Sequence, residues 1–222
     1  MRINAVAFSD LHGRTLPTID PFKTDLILIA GDIAPGYEVG DWQYDWVKRV
    51  FIPWCKKLAP TQIVLIGGNR DYYLEKTRWW PRNVHYLKDK AITLFGLKIY
   101  GTPWIERMVG RSPSMFELYP SELAKVYAKI PDDTDILLSH MPPHCPRSNL
   151  DLDESRGYYY GNDDLYKAIR RVQPRLVVCG HVHDGDHKPC KVAKTTVANV
   201  SIINSARIPI NKPFRFRLTT SM

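Results

Sequence analysis

The sequence predicts an α/β fold in which two packed mixed β-sheets are flanked by helices, an αββα sandwich. Three observations predict this architecture. Short apolar segments bounded by turn residues recur along the chain, and several of them are rich in Ile and Val. Helical patterns lie between these segments in the first part of the chain. Closely spaced strand-like segments follow near the middle of the chain, which favours antiparallel pairing there.

The apolar segments are predicted to be β-strands. The unbroken runs at residues 26–30 and 63–66 indicate strands that are buried on both faces, as in a sheet covered by helices. The predicted strands cover residues 3–8, 25–30, 62–66, 97–101, 135–139, 175–179 and 200–203. Two more strand-like segments, at residues 84–87 and 91–95, are separated by few residues from each other and from the strand that begins at residue 97, so this section is predicted to be antiparallel.

Three segments are predicted to be helices. Residues 41–58 carry large apolar side chains at three- and four-residue spacing, and Pro53 is expected to kink or break this helix. The apolar positions are Trp42, Trp46, Val50, Phe51, Trp54 and Leu58. Shorter helices are predicted at residues 121–129 and 163–172. The candidate N-caps are Ser121 for the first of these and Asp163 or Asp164 for the second.

Composition favours a globular protein with a single domain over residues 1–222. The chain has 31 Lys and Arg against 23 Asp and Glu, so its net charge of +8 suits an anionic partner such as a phosphate ester or a nucleic acid. No segment is apolar enough to span a membrane, and no membrane partner is expected. The cysteines are sparse and form no C-x-x-C pair, which predicts reduced thiols and a cytoplasmic location.

Polar residues of metal-binding type follow five of the predicted strands, at the point where each strand ends. They are Asp10 and His12, then Asp32, then Asn69, then His140, and finally His181 and His183. Because ligands bind at the carboxyl ends of strands in α/β sheets, these side chains are expected to converge. A pair of divalent ions about 3.5 to 4 Å apart needs a bridging carboxylate, and Asp32 is predicted to supply it.

These motifs resemble those of a known family. The sequences Asp10-Leu11-His12, Gly31-Asp32, Gly68-Asn69, His140 and Gly180-His181-Val182-His183 are similar to the signature of the calcineurin-like metallophosphoesterases. Residues 94–104, 135–143 and 203–206 are similar to the MPPED branch of this family, whose members are phosphodiesterases. The resemblance extends over nearly the whole chain.

The resemblance implies a metallophosphoesterase-like fold and a ligand set for two divalent metal ions. One ion would be bound by Asp10, His12, Asp32 and His183, and the other by Asp32, Asn69, His140 and His181. Manganese is the expected metal, with Fe, Zn, Ni or Co also compatible with these ligands. A hydroxide bridging the ions would attack phosphorus. The predicted catalytic residues are Asn69, Arg70 and His140.

Arg70 departs from the family pattern. Most members carry His directly after the Asn of the third motif, where it is thought to protonate the leaving oxygen. A guanidinium stays protonated at any working pH and is no general acid, although it can bind a phosphate oxygen. The change therefore favours diesters over alkyl monoesters. The alternative is that Arg70 pairs with an acid such as Asp71 and only shapes the loop.

Two long polar loops, at residues 104–120 and 141–162, are the expected lids or binding loops. Together with Arg70, the loop residues His144 and Trp104 are predicted to bind substrate, His144 as a possible replacement acid and Trp104 by stacking on a base. Arg107, Arg111 and Arg147 also lie in these loops, and Tyr158 to Tyr160 could stack on a base or pack the lid.

The sequence thus predicts a dinuclear metal phosphodiesterase acting on a small or cyclic nucleotide or a related diester. Nucleic acid is a less favoured partner, because a nuclease needs a continuous basic track. The alternatives are a nuclease or a protein phosphatase using the same site, and a metal-binding scaffold without catalysis.

Overall fold

The computed structural model describes residues 1–36, 41–107, 110 and 114–220. Its strands are β1 (Arg2–Phe8), β2 (Leu26–Ile29), β3 (Gln62–Leu65), β4 (Val84–Tyr86), β5 (Lys90–Leu94), β6 (Leu97–Thr102), β7 (Ile105–Glu106), β8 (Glu117–Leu118), β9 (Ile136–Ser139), β10 (Leu152–Asp153), β11 (Tyr158–Tyr159), β12 (Leu176–Cys179), β13 (Cys190–Val192), β14 (Thr195–Asn199) and β15 (Phe214–Thr219). Its helices are α1 (Asp41–Trp46), α2 (Ile52–Lys57), α3 (Pro120–Tyr127) and α4 (Asp163–Val172), with a π-helical segment at Val47–Phe51 between the first two.

Two large mixed sheets form the centre of the molecule. The first has the strand order β15-β1-β2-β3-β4, and the second has the order β13-β14-β12-β9-β6-β5. Within the first sheet, β1 to β4 run parallel and β15 pairs antiparallel with β1. In the second sheet, the parallel strands β6, β9, β12 and β14 are bordered by antiparallel β5 and β13. This arrangement confirms the predicted fold class.

Three apolar layers hold the sandwich together. Residues such as Leu28, Val64 and Leu138 fill the space between the two sheets. A second layer, which includes Phe51, packs the outer face of the first sheet against the helical segment that begins at α1. The third layer packs α3 and α4 against the outer face of the second sheet, where Tyr127 is fully buried. Strands covered on both faces explain the unbroken apolar runs in the sequence.

Two of the strand predictions need correction. Residues 200–203 are not part of a β-strand, because the strand lies earlier, at β14. Val200 and Ile202 instead form backbone hydrogen bonds with Ser9, which directly follows β1 of the first sheet. The segment at 84–87 is not antiparallel, because β4 joins the first sheet parallel to β3. The antiparallel prediction is correct for the hairpin of β5 and β6.

Of the two outcomes predicted at Pro53, a kink or a break of the first helix, the break is wrong. The helical run continues through Pro53, and the residue four before it, Arg49, lies in the π-helical segment, where the wider turn accommodates the proline ring. The wider turn also shifts the apolar face. Trp46 stacks on Phe51 five residues later, with ring centroids 5.7 Å apart, while Val50 is exposed. Trp42 is exposed as well, contrary to its predicted place in the core.

The helix caps also differ from prediction. Asn162, not Asp163 or Asp164, caps α4, because its side-chain oxygen accepts a 2.9 Å hydrogen bond from the Leu165 N–H. The other short helix begins at Pro120, one residue before Ser121, and the Glu122 carboxylate accepts the N–H of the preceding Tyr119 at 2.9 Å. Each helix starts where a side chain satisfies an otherwise unpaired backbone donor.

Candidate metal centre

The carboxyl ends of five strands bring the seven predicted ligands together. Three of these strands, β1, β2 and β3, belong to the first sheet, and the other two, β9 and β12, belong to the second. The site therefore lies at one edge of the sandwich and spans both sheets. A cavity at this edge is lined by His12, Asp32, Asn69, His181 and His183. The remaining two, Asp10 and His140, are fully buried beneath it.

One group of donor atoms surrounds Asp10. Ligand atoms of Asp10, His12 and His183 lie within 4.8 Å of one another. The His183 Nε2 atom is 3.4 Å from Asp10 Oδ1 and 3.2 Å from His12 Nε2. Asp10 is itself fixed by hydrogen bonds from the Ser9 hydroxyl, at 2.5 Å, and from the His181 N–H. Three donors held this close are typical of one metal position.

A second group surrounds Asp32. Its Oδ2 atom lies 3.5 Å from His140 Nε2 and 3.8 Å from His12 Nε2, between residues that the family resemblance assigns to different ions. The Asn69 Oδ1 atom is 3.2 Å from the same nitrogen of His140. Ligand atoms of Asp10, Asp32 and His140 also lie within 4.8 Å of one another, so the two groups are adjacent. This position suits a bridging carboxylate.

Hydrogen bonding sets the tautomer of His140. Its Nδ1 atom is 2.7 Å from the carbonyl oxygen of Ala30. Because a carbonyl oxygen only accepts hydrogen bonds, Nδ1 carries the proton and donates it. In the neutral ring, Nε2 then carries the lone pair, and this nitrogen faces Asp32 and Asn69. A backbone carbonyl thus orients the histidine for coordination.

The buried charges shift one another's pKa values. Burial by itself raises the pKa of Asp32, but the neighbouring His140 and His12 hold it below its usual value. Burial by itself lowers the pKa of His140, yet the Asp32 and Asp10 carboxylates outweigh it and raise that pKa to about 9. By contrast, burial and the nearby His140 lower the pKa of His181 to about 3, so this imidazole is neutral. Two buried carboxylates attract cations, whether these are protons or metal ions.

Four of the seven residues have a left-handed backbone conformation. The φ angles are 54° at Asp10, 45° at His12, 52° at Asp32 and 69° at His181. Residues other than glycine rarely adopt this conformation, and it costs energy that the surrounding fold must offset. The strain turns each loop sharply after its strand, so the side chain points into the site. The hydrophobic pattern of the sequence does not predict this left-handed conformation.

Two glycines allow the close approaches that the site requires. A Cβ atom at Gly68 would collide with Asp32 Oδ1, and a Cβ atom at Gly180 would collide with Asp10 Oδ2. Both glycines therefore leave space for a predicted metal-binding carboxylate. The Gly-Asn and Gly-His pairs of the sequence motifs have a steric reason as well as a chemical one.

Asp71 joins two of the loops. Its carboxylate accepts a 2.9 Å hydrogen bond from the N–H of Ala34, in the loop that carries Asp32. It accepts another of 2.9 Å from the N–H of Gly68, in the loop that carries Asn69. Burial and the nearby Asp32 charge raise its pKa to about 7. Asp71 thus uses its carboxylate on backbone amides, whereas the sequence analysis considered it as a partner for the Arg70 side chain.

The cavity has further lining residues that the sequence analysis did not assign to the site. Arg70 lines it as predicted, and Arg156 and Tyr160 lie in its wall. The Arg156 guanidinium lies 3.7 Å from Asp153 and 3.4 Å from the Tyr160 hydroxyl. The other lining residues are Ile105, Ser114, Glu117, Asp153 and Ser205. Except for Ser205, which belongs to the segment 203–206, these residues lie in the two loops that were expected to be lids or binding loops; among them, only Tyr160 was named in the sequence analysis, as a residue that stacks or packs.

Two predicted substrate-binding residues lie elsewhere. In the part of the chain that the structure describes, neither His144 nor Trp104 lines this cavity. His144 pairs with the buried Asp151 at 2.9 Å and lines a separate surface cleft with Arg147. The Trp104 indole donates to Asp89 at 2.6 Å. Arg107 packs over the ring of Tyr119, and Arg111 lies outside the described residues.

The donor set fits divalent metal ions. Carboxylate oxygens, imidazole nitrogens and an amide oxygen are ligands that Mn²⁺, Fe²⁺ and Zn²⁺ accept. The arrangement is buried, negatively charged before metals are counted, and open on one side to the cavity. Such an opening leaves room for a phosphate group and a water molecule beside the donors.

Comparison with known proteins identifies the family. The calcineurin-like phosphoesterase profile matches residues 3–185. Metallophosphoesterase domain-containing protein 1 of Homo sapiens is 30% identical over 244 residues, covering 97% of this chain and 71% of the relative. The UPF0046 protein C25E10.12 of Caenorhabditis elegans is 30% identical over 181 residues, covering 81% and 55%. The chain belongs to the calcineurin-like phosphoesterase family, which supports a metal-dependent hydrolase of phosphoric esters.

Solved structures agree with this assignment at the level of the fold. TT1561 of Thermus thermophilus superposes with a TM-score of 0.60 at 12% identity, covering 97% of this chain and 99% of that one. The phosphopantetheinyl hydrolase of Mycobacterium tuberculosis superposes with a TM-score of 0.50 at 14% identity, covering 92% and 90%. Among the described residues, none of the helices has the length and apolar character needed to cross a bilayer.

Proposed function

We propose that this protein is a phosphodiesterase that uses two divalent metal ions to hydrolyse a small diester, such as a small or cyclic nucleotide. The observation that carries the proposal is the pairing of a seven-residue donor cluster with Arg70 in the same cavity. The donors suit metal ions that activate water, and the guanidinium suits a phosphate that needs charge neutralisation but no proton from the enzyme.

The donors divide naturally between two metal positions. One ion would be held by Asp10, His12 and His183, and the other would be held by His140, His181 and Asn69. Asp32 would bind both ions. When bound, two divalent ions lower the pKa of a water molecule and neutralise charge on the phosphoryl group. The protein's part is to keep His140 in the correct tautomer through Ala30. We expect Mn²⁺ to occupy both positions.

Arg70 would contact the non-bridging oxygens of the substrate. Its guanidinium stays charged, so it attracts the phosphate and stabilises the negative charge that develops during attack. It cannot protonate a departing alkoxide. Substrates whose leaving group is stable as an anion are therefore favoured, and an alkyl monoester with a poor leaving group is disfavoured.

Arg156 and Tyr160 are proposed to bind the remainder of the substrate. Asp153 and the Tyr160 hydroxyl lie beside the Arg156 guanidinium in the cavity wall. Tyr160 packs edge-on against His181, with ring centroids 6.1 Å apart, which places its aromatic ring beside the metal site. An aromatic ring and a second guanidinium suit a nucleotide, which combines a stacking base with phosphate charge.

The test uses protein stripped of metal and reloaded with Mn²⁺. Turnover is measured on bis(p-nitrophenyl) phosphate and p-nitrophenyl phosphate for the native protein and for Asp32→Ala. The matched control is Asp45→Ala, which removes an exposed carboxylate that forms a surface ion pair with Arg49 at 3.4 Å. We expect diester cleavage that requires metal, is lost in Asp32→Ala and is retained in Asp45→Ala.

The same protein, assayed on further substrates, distinguishes the alternatives. Preferred turnover of phosphoserine peptides would favour a protein phosphatase, and steeply salt-dependent cleavage of nucleic acid would favour a nuclease. Metal binding without turnover of any ester would favour a scaffold. We also propose a cytoplasmic location, because all four cysteines are free thiols.

A further inference from the structure

Two cysteines that are distant in sequence meet beside α4, in the apolar layer that packs this helix against the second sheet. Cys145 lies in the loop after β9, and Cys190 is the first residue of β13. Their Sγ atoms are 3.2 Å apart. Both cysteines contribute to the wall of a surface cleft, but Cys145 is buried, whereas Cys190 is partly exposed. The sequence analysis found no pairing pattern among the cysteines, because 45 residues separate these two.

We propose that Cys145 and Cys190 are a reversible disulfide site that reacts by exchange with a small anionic disulfide of the glutathione type. The two sulfur atoms need to approach by about 1 Å to reach the S–S bond length of about 2.05 Å. Such a shift is within reach of side-chain rotation. The inference is independent of the proposed function, since it concerns thiols and not the metal centre.

The two thiols differ in exposure, which sets the order of the exchange. Hydrogen bonds with Cys145 and with Ser148 lower the pKa of Cys190, although burial opposes this effect. The hydrogen bond to Cys190 and burial both raise the pKa of Cys145. Because the thiolate is the attacking form, the accessible Cys190 reacts first and Cys145 resolves the product.

The surroundings of Cys190 suit an anionic reagent. The cleft beside it is lined by Arg147, Arg170, Lys188 and Lys191, with Asp186 as an acidic neighbour. Positive side chains attract carboxylates and also stabilise a thiolate. A small disulfide that carries carboxylates would therefore be concentrated beside the reactive sulfur.

The exchange balances without a further oxidant. Cys190, as thiolate, attacks one sulfur of the small disulfide, which forms a mixed disulfide and releases one small thiolate. Cys145 then attacks the Cys190 sulfur, forms the protein disulfide and releases the second small thiolate. The protons of the two protein thiols go to the two released thiolates. The protein pair loses two electrons, and the small disulfide gains them.

The remaining cysteines provide an internal control. Cys55 and Cys179 are fully buried, and burial raises the pKa of both thiols. Cys179 also donates a hydrogen bond to the Ala198 carbonyl. Neither is accessible to a small disulfide in the folded protein.

The bond would connect two segments that lead away from the metal centre. The loop that carries Cys145 starts at His140 and continues to Arg156 and Tyr160 in the cavity wall. Cys190 follows His183 along the chain. Oxidation would therefore restrain one wall of the cavity without occupying it.

The experiment incubates the metal-loaded protein with oxidised glutathione, then alkylates free thiols under denaturing conditions and maps peptides without reduction. The number of alkylated cysteines should decrease from four to two, Cys55 and Cys179, and the peptides that contain Cys145 and Cys190 should be found linked to each other. Dithiothreitol should restore all four. Retention of four free thiols after prolonged incubation would overturn the proposal.

Variants separate the two steps. Cys145→Ser should retain a stable glutathione adduct on Cys190, because the resolving thiol is absent. Cys190→Ser should acquire neither an adduct nor a disulfide. The anionic preference is tested with cystamine, a cationic disulfide, which should react several-fold more slowly at low salt and at a similar rate at high salt. Equal rates at low salt, or an adduct on Cys145, would contradict the proposed site.

Discussion

The backbone N–H of Arg70 donates a 2.7 Å hydrogen bond to Asp32 Oδ1, while Oδ2 of the same carboxylate faces His140 and His12. The residue after Asn69 is therefore joined to the predicted bridging carboxylate through the main chain. Because the backbone makes this bond, the side chain at position 70 can change from the His of most family members to Arg without moving Asp32. The chemistry of the leaving group can change while the metal ligands stay in place.

Arg70→His should restore a general acid and change the substrate preference. We expect the ratio of monoester to diester turnover to rise by about tenfold or more, since general acid catalysis contributes typically 10² to 10⁴. The measurement is kcat/KM on an alkyl monoester and on bis(p-nitrophenyl) phosphate, because an alkoxide needs a proton to leave and p-nitrophenolate does not. Arg70→Lys is the control, because it keeps the charge without supplying an acid at neutral pH. An equal change in both variants would show that Arg70 has no part in the preference.

Arg156→Gln should weaken substrate binding more than it slows the chemical step. The guanidinium lies in the cavity wall beside Asp153 and Tyr160 and is not among the predicted metal ligands. We expect KM for a nucleotide diester to rise several-fold while kcat changes less, because the lost contact would be made in both the ground state and the transition state. Arg49→Gln, on an exposed helical surface, is the control. A fall in kcat with unchanged KM would place Arg156 in the chemical step instead.

Gly68→Ala should reduce metal binding because the added methyl group collides with the Asp32 carboxylate. We expect a loss of Mn²⁺ affinity of about tenfold or more, comparable to the loss of a supporting contact at a metal site. Gly96→Ala is the control for strain. It has a positive φ of 74° but nothing within 4 Å of the added atom, so it should lower thermal stability and leave metal affinity unchanged. Metal titration by calorimetry measures both variants.

Asp71→Asn should destabilise the two loops that Asp71 joins. Its two oxygens accept the N–H groups of Ala34 and Gly68, and an amide replaces one acceptor by a donor. An unsatisfied buried donor costs about 1 to 3 kcal/mol. We expect a lower Tm and weaker metal binding together, with Asp45→Asn as the unaffected control. A Tm equal to that of the native protein would contradict this role.

Metal binding should release protons near neutral pH. In the metal-free protein, the Asp32 and Asp10 carboxylates outweigh burial and raise the pKa of His140 to about 9, so this ring is protonated at pH 7.5. Because the pKa of His140 is higher in the folded protein than the ordinary His value of about 6.5, its protonation stabilises the metal-free fold fully at pH values below about 6.5. This stabilisation is lost as the pH rises through about 9. A metal ion needs the neutral ring, so binding at pH 7.5 should release about one proton.

Calorimetry in buffers of different ionisation enthalpy measures this release. The observed heat should depend on the buffer at pH 7.5 and less so as pH approaches 9. His140→Ala should remove most of the dependence. Heats that are the same in all buffers would show that His140 is already neutral before the metal binds.

The sequence alone determined the fold class and the identity of the candidate ligands. Unbroken apolar runs such as residues 26–30, which are short and rich in Ile and Leu, indicate strands covered on both faces, and a polar residue directly after such a run is expected at the edge of a sheet. The seven predicted ligands, from Asp10 to His183, were found by this reasoning. The burial of a strand and the point where it ends depend on residues that are neighbours in the sequence, so a sequence pattern can predict them.

Only the tertiary structure decided which residues share the cavity. Arg156, Glu117 and Ser205 reach it from three separate segments of the chain, whereas His144, which follows the predicted ligand His140 by four residues, turns away to pair with Asp151. The left-handed turns at Asp10 and Asp32 likewise depend on the packing around them. The contacts between loops depend on how the two sheets pack against each other. Because this packing involves side chains from the whole core, no single motif predicts which loops meet.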